Sequence, residues 1–266
     1  MPTMAEAEPH RASIRDVLAG AGAALMLLTR IPVPAWAGSG HAWSWAVAWF
    51  PLVGVLVGAV SAAAWWAVAP IGALPAGVLA VIVSIVITGA LHEDGLADTA
   101  DALGGARDRE AIFEILKDSR VGTYGAVAIG LSLLWRVSLL FSFDSHVPGA
   151  LVLSHTIARL MPVWLLAALP YVTPSAAKSA QVARAGWSRV AIATIVAGTV
   201  AFMLVLAGML SLAVVAGTFI VASLATLMLA RWFLRRAGGL TGDFLGATEQ
   251  VGECLALFVA AWLLGP

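Results

Sequence analysis

Three aspartates recur at helical spacing in the segment HEDGLADTAD. They are Asp94, Asp98 and Asp101, and at about 100° per residue they fall within an arc of about 60° on one helix face. Carboxylates this close repel one another, and each costs up to about 2.5–3.5 kcal/mol at the centre of a membrane helix. A dication would offset that cost, and Mg²⁺ commonly joins carboxylates to substrate phosphates. The pattern favours a Mg²⁺-dependent phosphoryl-transfer site, and the alternative is a solvated acidic helix end.

Two other residues of this segment could contribute to the site. Gly95 costs about 1 kcal/mol relative to alanine inside a helix, but it leaves bare backbone that a ligand or a second helix could approach. His92 points away from Asp94 on an ideal helix. It is either a packed histidine or a contact made from an unwound turn.

A second group of charges follows an amphipathic helix. An apolar stripe within residues 112–116 predicts a helix lying against the bundle or the membrane face, and Lys117, Ser119 and Arg120 follow it. Lysine and arginine there could hold a pyrophosphate, arginine through a bidentate fork. The alternative is that these charges only fix membrane topology.

A third group opens the last predicted helix. Asp243 and Glu253 lie along one stripe of it, whereas Glu249 lies off that stripe. Asp243 could simply cap the helix, but a cap does not explain Glu253, which lies deeper in an apolar run.

Two arginines stand well inside predicted spans. An arginine within the membrane should face the bundle interior and pair with an acid or a phosphate. Arg159, next to Ser154, His155 and Thr156, is predicted to face the site, and Arg136 is interpreted as structural.

The composition indicates a membrane protein. Of 266 residues, 61% are hydrophobic and only 11% charged, too few polar groups to cover a soluble domain. Lys+Arg and Asp+Glu are 15 each, so charge gives no support for binding to nucleic acid. We predict one domain over 1–266, with a flexible tail at 1–16.

The hydropathy predicts an all-α, polytopic membrane bundle of about seven transmembrane helices. A shorter apolar stretch, Val17–Thr29, is predicted to be an interfacial or re-entrant helix that ends before Pro32 and Pro34. The predicted spans are 43–69, 74–100, 124–143, 149–171, 189–208, 210–230 and 250–265, the last being short unless it borrows residues from the preceding loop.

The basic residues predict which ends of the helices face the cytoplasm. The segments 102–123, 172–188 and 231–248 contain Lys or Arg, and the connections near 70–74, 144–148 and 208–210 contain none. The three charged groups therefore lie on the cytoplasmic side. A transporter or channel is disfavoured because, apart from Asp144, acids are lacking toward the outer face, and a scaffold gives no reason for three carboxylates on one helix face.

The same segments resemble the cobalamin synthase family of adenosylcobinamide-GDP ribazoletransferases, from about Leu27 to the C-terminus. Glu93 lies outside the family pattern, and Gln250 stands where many members carry an acid. The matching stretches are LTRIPVP, FPLVGVLVG, His92 with Asp94–Ala97, Asp98 and Asp101, then Lys117–Arg120 with Gly122, and finally Thr241–Asp243 with Gly246 and Glu253.

The resemblance implies transfer of phosphocobinamide from adenosylcobinamide-GDP to a hydroxyl of α-ribazole or its 5′-phosphate, with release of GMP. It also implies a bacterial cytoplasmic (inner) membrane location, and it leaves open a homo-oligomer or a complex with other corrinoid-assembly enzymes. The expected Mg²⁺ ligands are Asp94, Asp98, Asp101 and Glu253, the expected catalytic residues are Asp101, Asp243, Lys117 and Arg120, and the expected substrate contacts are Gly95, Ser119, Arg159 and Gly242.

Overall fold

The computed structural model describes residues 13–38, 42–142, 146–172, 182 and 186–265. Within these residues the secondary structure is ten α-helices and one short 3-10 helix, Ala35–Gly38. The predicted tail up to residue 12, Asp144, and the basic residues of the segment 172–188 (Lys178 and Arg184) lie outside the described residues. The α-helices are α1 Ile14–Leu28, α2 Ala42–Val68, α3 Ala73–Thr88, α4 Leu91–Gly105, α5 Arg109–Ile115, α6 Thr123–Phe141, α7 Val147–Ala168, α8 Trp187–Leu206, α9 Leu212–Ala237 and α10 Gly242–Leu264.

The number of spans agrees with the sequence prediction. Six of the described helices are long and apolar enough to cross a membrane, and there are seven if α3 and α4 together form one span. The last helix does borrow residues from the preceding loop, since α10 starts at Gly242. The short N-terminal helix is also present as α1, which packs against α2.

The single helix predicted over 74–100 is wrong, because it is two helices that meet at 89°. The backbone enters the left-handed region at Gly89 (φ 67°) and at Ala90 (φ 58°), which breaks the helical path. Glycine adopts this conformation freely. The backbone amide of Arg30 hydrogen-bonds to the carbonyl of Ile87 at 2.7 Å, at the end of α3. The acidic segment therefore begins its own helix and takes a direction different from that of α3.

The most extensive helix pairing among the described residues is between α2 and α7. Gly54 and Gly58 are one turn apart on α2 and face the backbone of α7, where a methyl group on either would overlap main-chain atoms of residues 151–156. Small residues four apart are the usual way for membrane helices to approach closely. This pairing fixes α7, which carries Arg159, as a rigid wall of the site.

Candidate active site

The acidic helix α4 crosses the start of α10 at a pair of glycines. A methyl group at Gly95 would lie 2.9 Å from the carbonyl oxygen of Asp243 and 3.0 Å from Cα of Gly246. A methyl group at Gly246 would lie 3.2 Å from Cα of Gly95. The two backbones are therefore in contact, and this contact places the aspartates of α4 beside Asp243.

Asp94, Asp98 and Asp243 form the acidic cleft. Asp94 is exposed, and the other two are half-buried. The charged groups that act most strongly on Asp98 are all aspartates, namely Asp94, Asp243 and Asp101. Asp94 and Asp243 line a cavity of about 350 Å³ together with Gly95 and Gly242. The structure thus brings together residues from two of the charged groups that the sequence singled out.

The carboxylate of Asp101 binds backbone amides at the start of α6. Its two carboxylate oxygens accept hydrogen bonds from the backbone amides of Gly122, at 2.7 Å, and Gly125, at 2.9 Å. The first amides of a helix have no partner within it, so a carboxylate from another helix satisfies them and complements the helix dipole. Asp101 ties α6 to α4, and both of its oxygens are already engaged.

Asp243 is not the helix cap. The N-cap of α10 is Thr241, whose side chain accepts from the amide of Phe244 at 3.2 Å. Asp243 is the second residue of the helix and lines the cavity. The capping alternative therefore does not account for Asp243.

A buried ion-pair network lies behind the acidic cleft. Arg136 of α6 is fully buried and lies 3.2 Å from carboxylate oxygens of both Glu93 and Glu253. Glu253 is eleven residues beyond Gly242, which is about 16 Å along α10 at 1.5 Å per residue. A charge at that depth requires a partner. Arg136 therefore faces the bundle interior and pairs with acids, as predicted for an arginine within the membrane, and Glu253 lies in an ion pair.

The network continues to the wall of the cavity. Arg159 lies 2.9 Å from Glu249, and His92 lies 3.5 Å from the other oxygen of Glu249. The side-chain amide of Gln250 donates to Glu93 at 3.2 Å and to Glu249 at 3.1 Å. A neutral amide satisfies both carboxylates without adding a further negative charge among them. Arg159, His92 and Glu249 also line the cavity.

The basic segment after α5 is at the surface. Lys117, Ser119 and Arg120 are exposed. The guanidinium of Arg120 binds Asp118, with Nη2 2.5 Å from the carboxylate. This hydrogen bond lowers the pKa of Asp118 and raises that of Arg120. Arg120 lines a second, open cavity of about 530 Å³ that also reaches Asp101, whereas neither Lys117 nor Ser119 is part of its wall.

The acidic cleft suits a small, hard cation. The ion pairs among the described residues include neither Asp94 nor Asp98, so no arginine or lysine of the described part of the chain competes with a cation for their oxygens. Carboxylate oxygens are the ligands that Mg²⁺ selects, and one or two of them suffice when substrate phosphates complete the shell. Among the described residues, the three-residue group whose ligand atoms lie within 4.8 Å of one another is instead a buried one, formed by His155, Glu249 and Glu253. That group faces Arg136 and Arg159, whose positive charges disfavour a cation there.

Two buried acids were missed by the sequence analysis. Glu93 was left out of the site, and Glu249 was placed off the functional stripe, yet both belong to the network that backs the cleft. The position of Glu249 within the predicted span could have identified it, since a carboxylate seven residues beyond the start of an apolar helix needs a partner. No similar signal existed for Glu93, because its position follows from the break before α4.

Replacement of Gly95 by alanine tests the contact between the two helices. The added methyl group would push α4 from α10, so we expect activity to fall at least about tenfold and stability by about 1–3 kcal/mol, as for an overpacked core. Activity and thermal unfolding in detergent measure both effects. Gly198→Ala is the matched control, because a methyl group there meets no described atom within 4 Å. Equal behaviour of the two variants would contradict the close contact.

Comparison with known proteins gives consistent matches. The family model described as Cobalamin-5-phosphate synthase matches residues 20–261. Proteins named adenosylcobinamide-GDP ribazoletransferase are similar to this chain: one from Shewanella amazonensis is 40% identical over 244 residues, 89% of this chain and 92% of its own length. One from Bradyrhizobium diazoefficiens is 41% identical over 261 residues, 95% of this chain and 97% of its own length. No solved structure matches significantly.

Proposed function

Because the chain belongs to the cobalamin-5-phosphate synthase family, we propose that its acidic cleft transfers phosphocobinamide from adenosylcobinamide-GDP to α-ribazole or its 5′-phosphate. The chain is an enzyme, a transferase of cobalamin nucleotide-loop assembly. A ribose hydroxyl oxygen of α-ribazole bonds to the phosphorus attached to cobinamide. The bond from that phosphorus to the bridging oxygen breaks, and GMP leaves with the bridging oxygen and its electron pair. The product is adenosylcobalamin or its phosphate.

The acidic cleft at the α4–α10 contact is the observation that carries this proposal. Asp94 and Asp98 would hold Mg²⁺ in that cleft, because the ion pairs among the described residues include neither of them. When bound, Mg²⁺ supplies positive charge that offsets the negative charge developing on the departing phosphate. Arg120 would hold phosphate oxygens of the nucleotide from the second cavity, once its guanidinium leaves Asp118. Lys117, three residues earlier and exposed, would add positive charge to the same side.

Asp243 is the group we assign as proton acceptor for the attacking hydroxyl. It lines the cavity beside Asp94, whereas the oxygens of Asp101 are taken by backbone amides of α6. A general base needs to come within hydrogen-bond reach of the proton that it removes. Asp243 follows the Thr241 cap within the first turn of α10, which fixes the position of its backbone.

The positions of the basic residues support a cytoplasmic site in a bacterial inner membrane. Arg107, Arg109, Lys117 and Arg120 lie between α4 and α6, at the end of the bundle that carries the cleft. The connections 69–72 and 207–211, at the opposite end, contain no Lys or Arg. Loops rich in Lys and Arg remain in the cytoplasm, so the substrates would reach the cleft from that side.

A vesicle assay tests the reaction, its metal and its side together. Inverted inner-membrane vesicles that contain the protein receive adenosylcobinamide-GDP, α-ribazole and Mg²⁺, and GMP and the phosphodiester product are measured. We expect GMP only when both substrates are present, no GMP after removal of Mg²⁺ by EDTA, and recovery when Mg²⁺ is restored. Right-side-out vesicles should be inactive until they are permeabilised.

Each part of the proposal has its own contrary outcome. Release of GMP without α-ribazole would show a hydrolase instead of a transferase. Turnover that survives EDTA would overturn the metal assignment while leaving the transfer intact. Activity in sealed right-side-out vesicles would reverse the orientation.

A further inference from the structure

Two cavities lie at opposite ends of the acidic face of α4. The first is the cavity beside the acidic cleft that is described above. We name it the apolar chamber; its volume is about 350 Å³, and Asp94 lies in its wall. The second, which we name the outer cavity, has a volume of about 530 Å³ and contains Asp101. These two aspartates are seven positions apart in the sequence, about 10 Å along the helix, and Asp98 lies between them on the same face.

The lining of the apolar chamber divides by helix into a polar part and a mostly apolar part. The acids Asp94, Asp243 and Glu249 come from α4 and α10. The residues contributed by α1, α2 and α7 are apolar apart from Arg159. The apolar lining residues that matter here are Leu27, Leu28, Phe50, Pro162 and Leu166, and α10 adds Leu245.

This division suits a nucleoside that has an apolar base. Ligand pockets have volumes of about 300–1,000 Å³, so a chamber of about 350 Å³ holds one nucleoside and is too small for a corrin macrocycle. A wall of leucine, phenylalanine and proline side chains offers no partner to amino or carbonyl groups, so burying a purine there would leave those groups unpaired. A methyl-substituted benzimidazole, the base of α-ribazole, has no such groups. Its ribose would then face the carboxylates.

The outer cavity has the features of a nucleotide site. The ring of Tyr124 lies against the backbone of Gly104, where a methyl group would be 2.9 Å from the ring carbons. Tyr124 is 57% exposed and lines the cavity with Arg120 and Asp118. An aromatic ring that is supported on one side and open on the other is a platform on which any base can stack. Arg120 supplies charge for phosphates beside it.

From these two cavities we propose that the substrates reach the carboxylates from opposite ends of α4, which extends the proposed function and rests on it. The base of α-ribazole occupies the apolar chamber, and the guanine of the donor stacks on Tyr124 in the outer cavity. An in-line displacement needs the attacking and leaving oxygens on opposite sides of the phosphorus. With this arrangement the hydroxyl enters from the Asp94 end, and GMP departs toward the Asp101 end.

Substitutions in the two cavities should have separable effects on the two substrates. Leu27→Phe and Leu245→Phe narrow the apolar chamber from different helices, and both residues are half-buried, which limits damage to folding. We expect each to raise KM for α-ribazole about tenfold and to leave KM for adenosylcobinamide-GDP unchanged. Tyr124→Ala should raise KM for adenosylcobinamide-GDP about tenfold and leave KM for α-ribazole unchanged, and Tyr124→Phe, which keeps the ring, should raise it less than Tyr124→Ala. Leu224→Phe, on an exposed face of α9, is the control.

Equilibrium dialysis separates failure of this inference from failure of the proposed function. Labelled α-ribazole should bind less tightly to the two chamber variants, and labelled GMP less tightly to Tyr124→Ala, whether or not turnover occurs. Binding that follows this pattern without any transfer would overturn the proposed function and leave the two sites standing. Absence of binding by the unsubstituted protein, or chamber variants that weaken both ligands or neither, would overturn the inference.

Discussion

Asp94→Asn and Asp98→Asn are each expected to lower transfer by about 10²–10³-fold or more, the size of effect seen when one group that stabilises developing charge is removed. Each substitution removes a proposed ligand of the cation and keeps the shape of the side chain. The measurement is GMP release at saturating substrates over a range of Mg²⁺ concentrations. Near-normal turnover at high Mg²⁺ in either variant would show that the carboxylate is not a ligand.

The same two variants should lose activity but keep or gain stability. Asp98 is surrounded by Asp94, Asp243 and Asp101, so an amide relieves repulsion and no ion pair with a described residue is lost. Thermal unfolding without Mg²⁺ should therefore be unchanged or shifted upward. Glu114→Gln, at an exposed position of α5, is the matched control. Its transfer activity and its unfolding temperature should equal those of the unsubstituted protein. Loss of activity without loss of stability identifies a group kept for function.

The membrane architecture follows from properties that the sequence displays directly. An apolar run of about 20 residues can only span or be buried, and its helical hydrogen bonds are satisfied locally, so α2, α6, α7 and α8 end within about three residues of their predicted bounds, whereas α9 continues to Ala237 and α10 begins at Gly242. The last span was predicted too short, because the helix already begins before residue 250. Local patterns sufficed here because these helices need few contacts with distant parts of the chain to form.

The path of the acidic segment could not be predicted in the same way. Gly89 offered a site for a break, but Ala90 is also left-handed, and that residue type gives no warning of it. The mean hydropathy of a sequence window does not depend on the direction of the chain, so it gives no sign of the bend. The face shared by Asp94, Asp98 and Asp101 was correctly derived within α4, because that spacing depends only on the helix itself. The partner of that face, Asp243, depended on a contact between helices remote in sequence.

The charged groups also differ in how far the sequence defined them. The position of Arg136 inside an apolar run predicted a buried partner, and two are present, Glu93 and Glu253. Arg120 and Lys117 were predicted near phosphates, but a surface segment has no burial to restrict its side chains, and Arg120 here binds Asp118. Sequence reasoning therefore worked best where desolvation leaves few alternatives.

The buried network connects the cleft to the rest of the bundle. Glu93 precedes Asp94 on α4, Arg136 lies on α6, and Glu249 and Glu253 lie on α10. Any rotation of α4 that moves Asp94 must also move Glu93 away from Arg136. The ion pairs thus fix the orientation of the acidic face, in addition to neutralising one another. For this reason we expect variants of the network to lose activity as well as stability.

Arg136→Met is expected to lower the free energy of unfolding by about 3–5 kcal/mol, because removing one partner leaves uncompensated buried charges. Both Glu93 and Glu253 would lose their cation at a depth where water cannot replace it. The measurement is thermal or denaturant unfolding in detergent, together with the fraction of monodisperse protein. Arg231→Met, at an exposed position of α9, is the control and should change stability by no more than about 0.5 kcal/mol.

A second substitution distinguishes loss of charge balance from loss of packing. In the double variant Arg136→Met with Glu253→Gln, an uncharged amide replaces one of the two carboxylates that lost their partner. Part of the lost stability should therefore return. Simple loss of packing around the guanidinium would instead make the double variant at least as unstable as Arg136→Met. An Arg136→Met protein as stable as Arg231→Met would mean that the ion pairs of the bundle interior do not form. Partial recovery would show that the acids behind the cleft are held in place by charge, which is the condition for α4 to present its aspartates in one fixed direction.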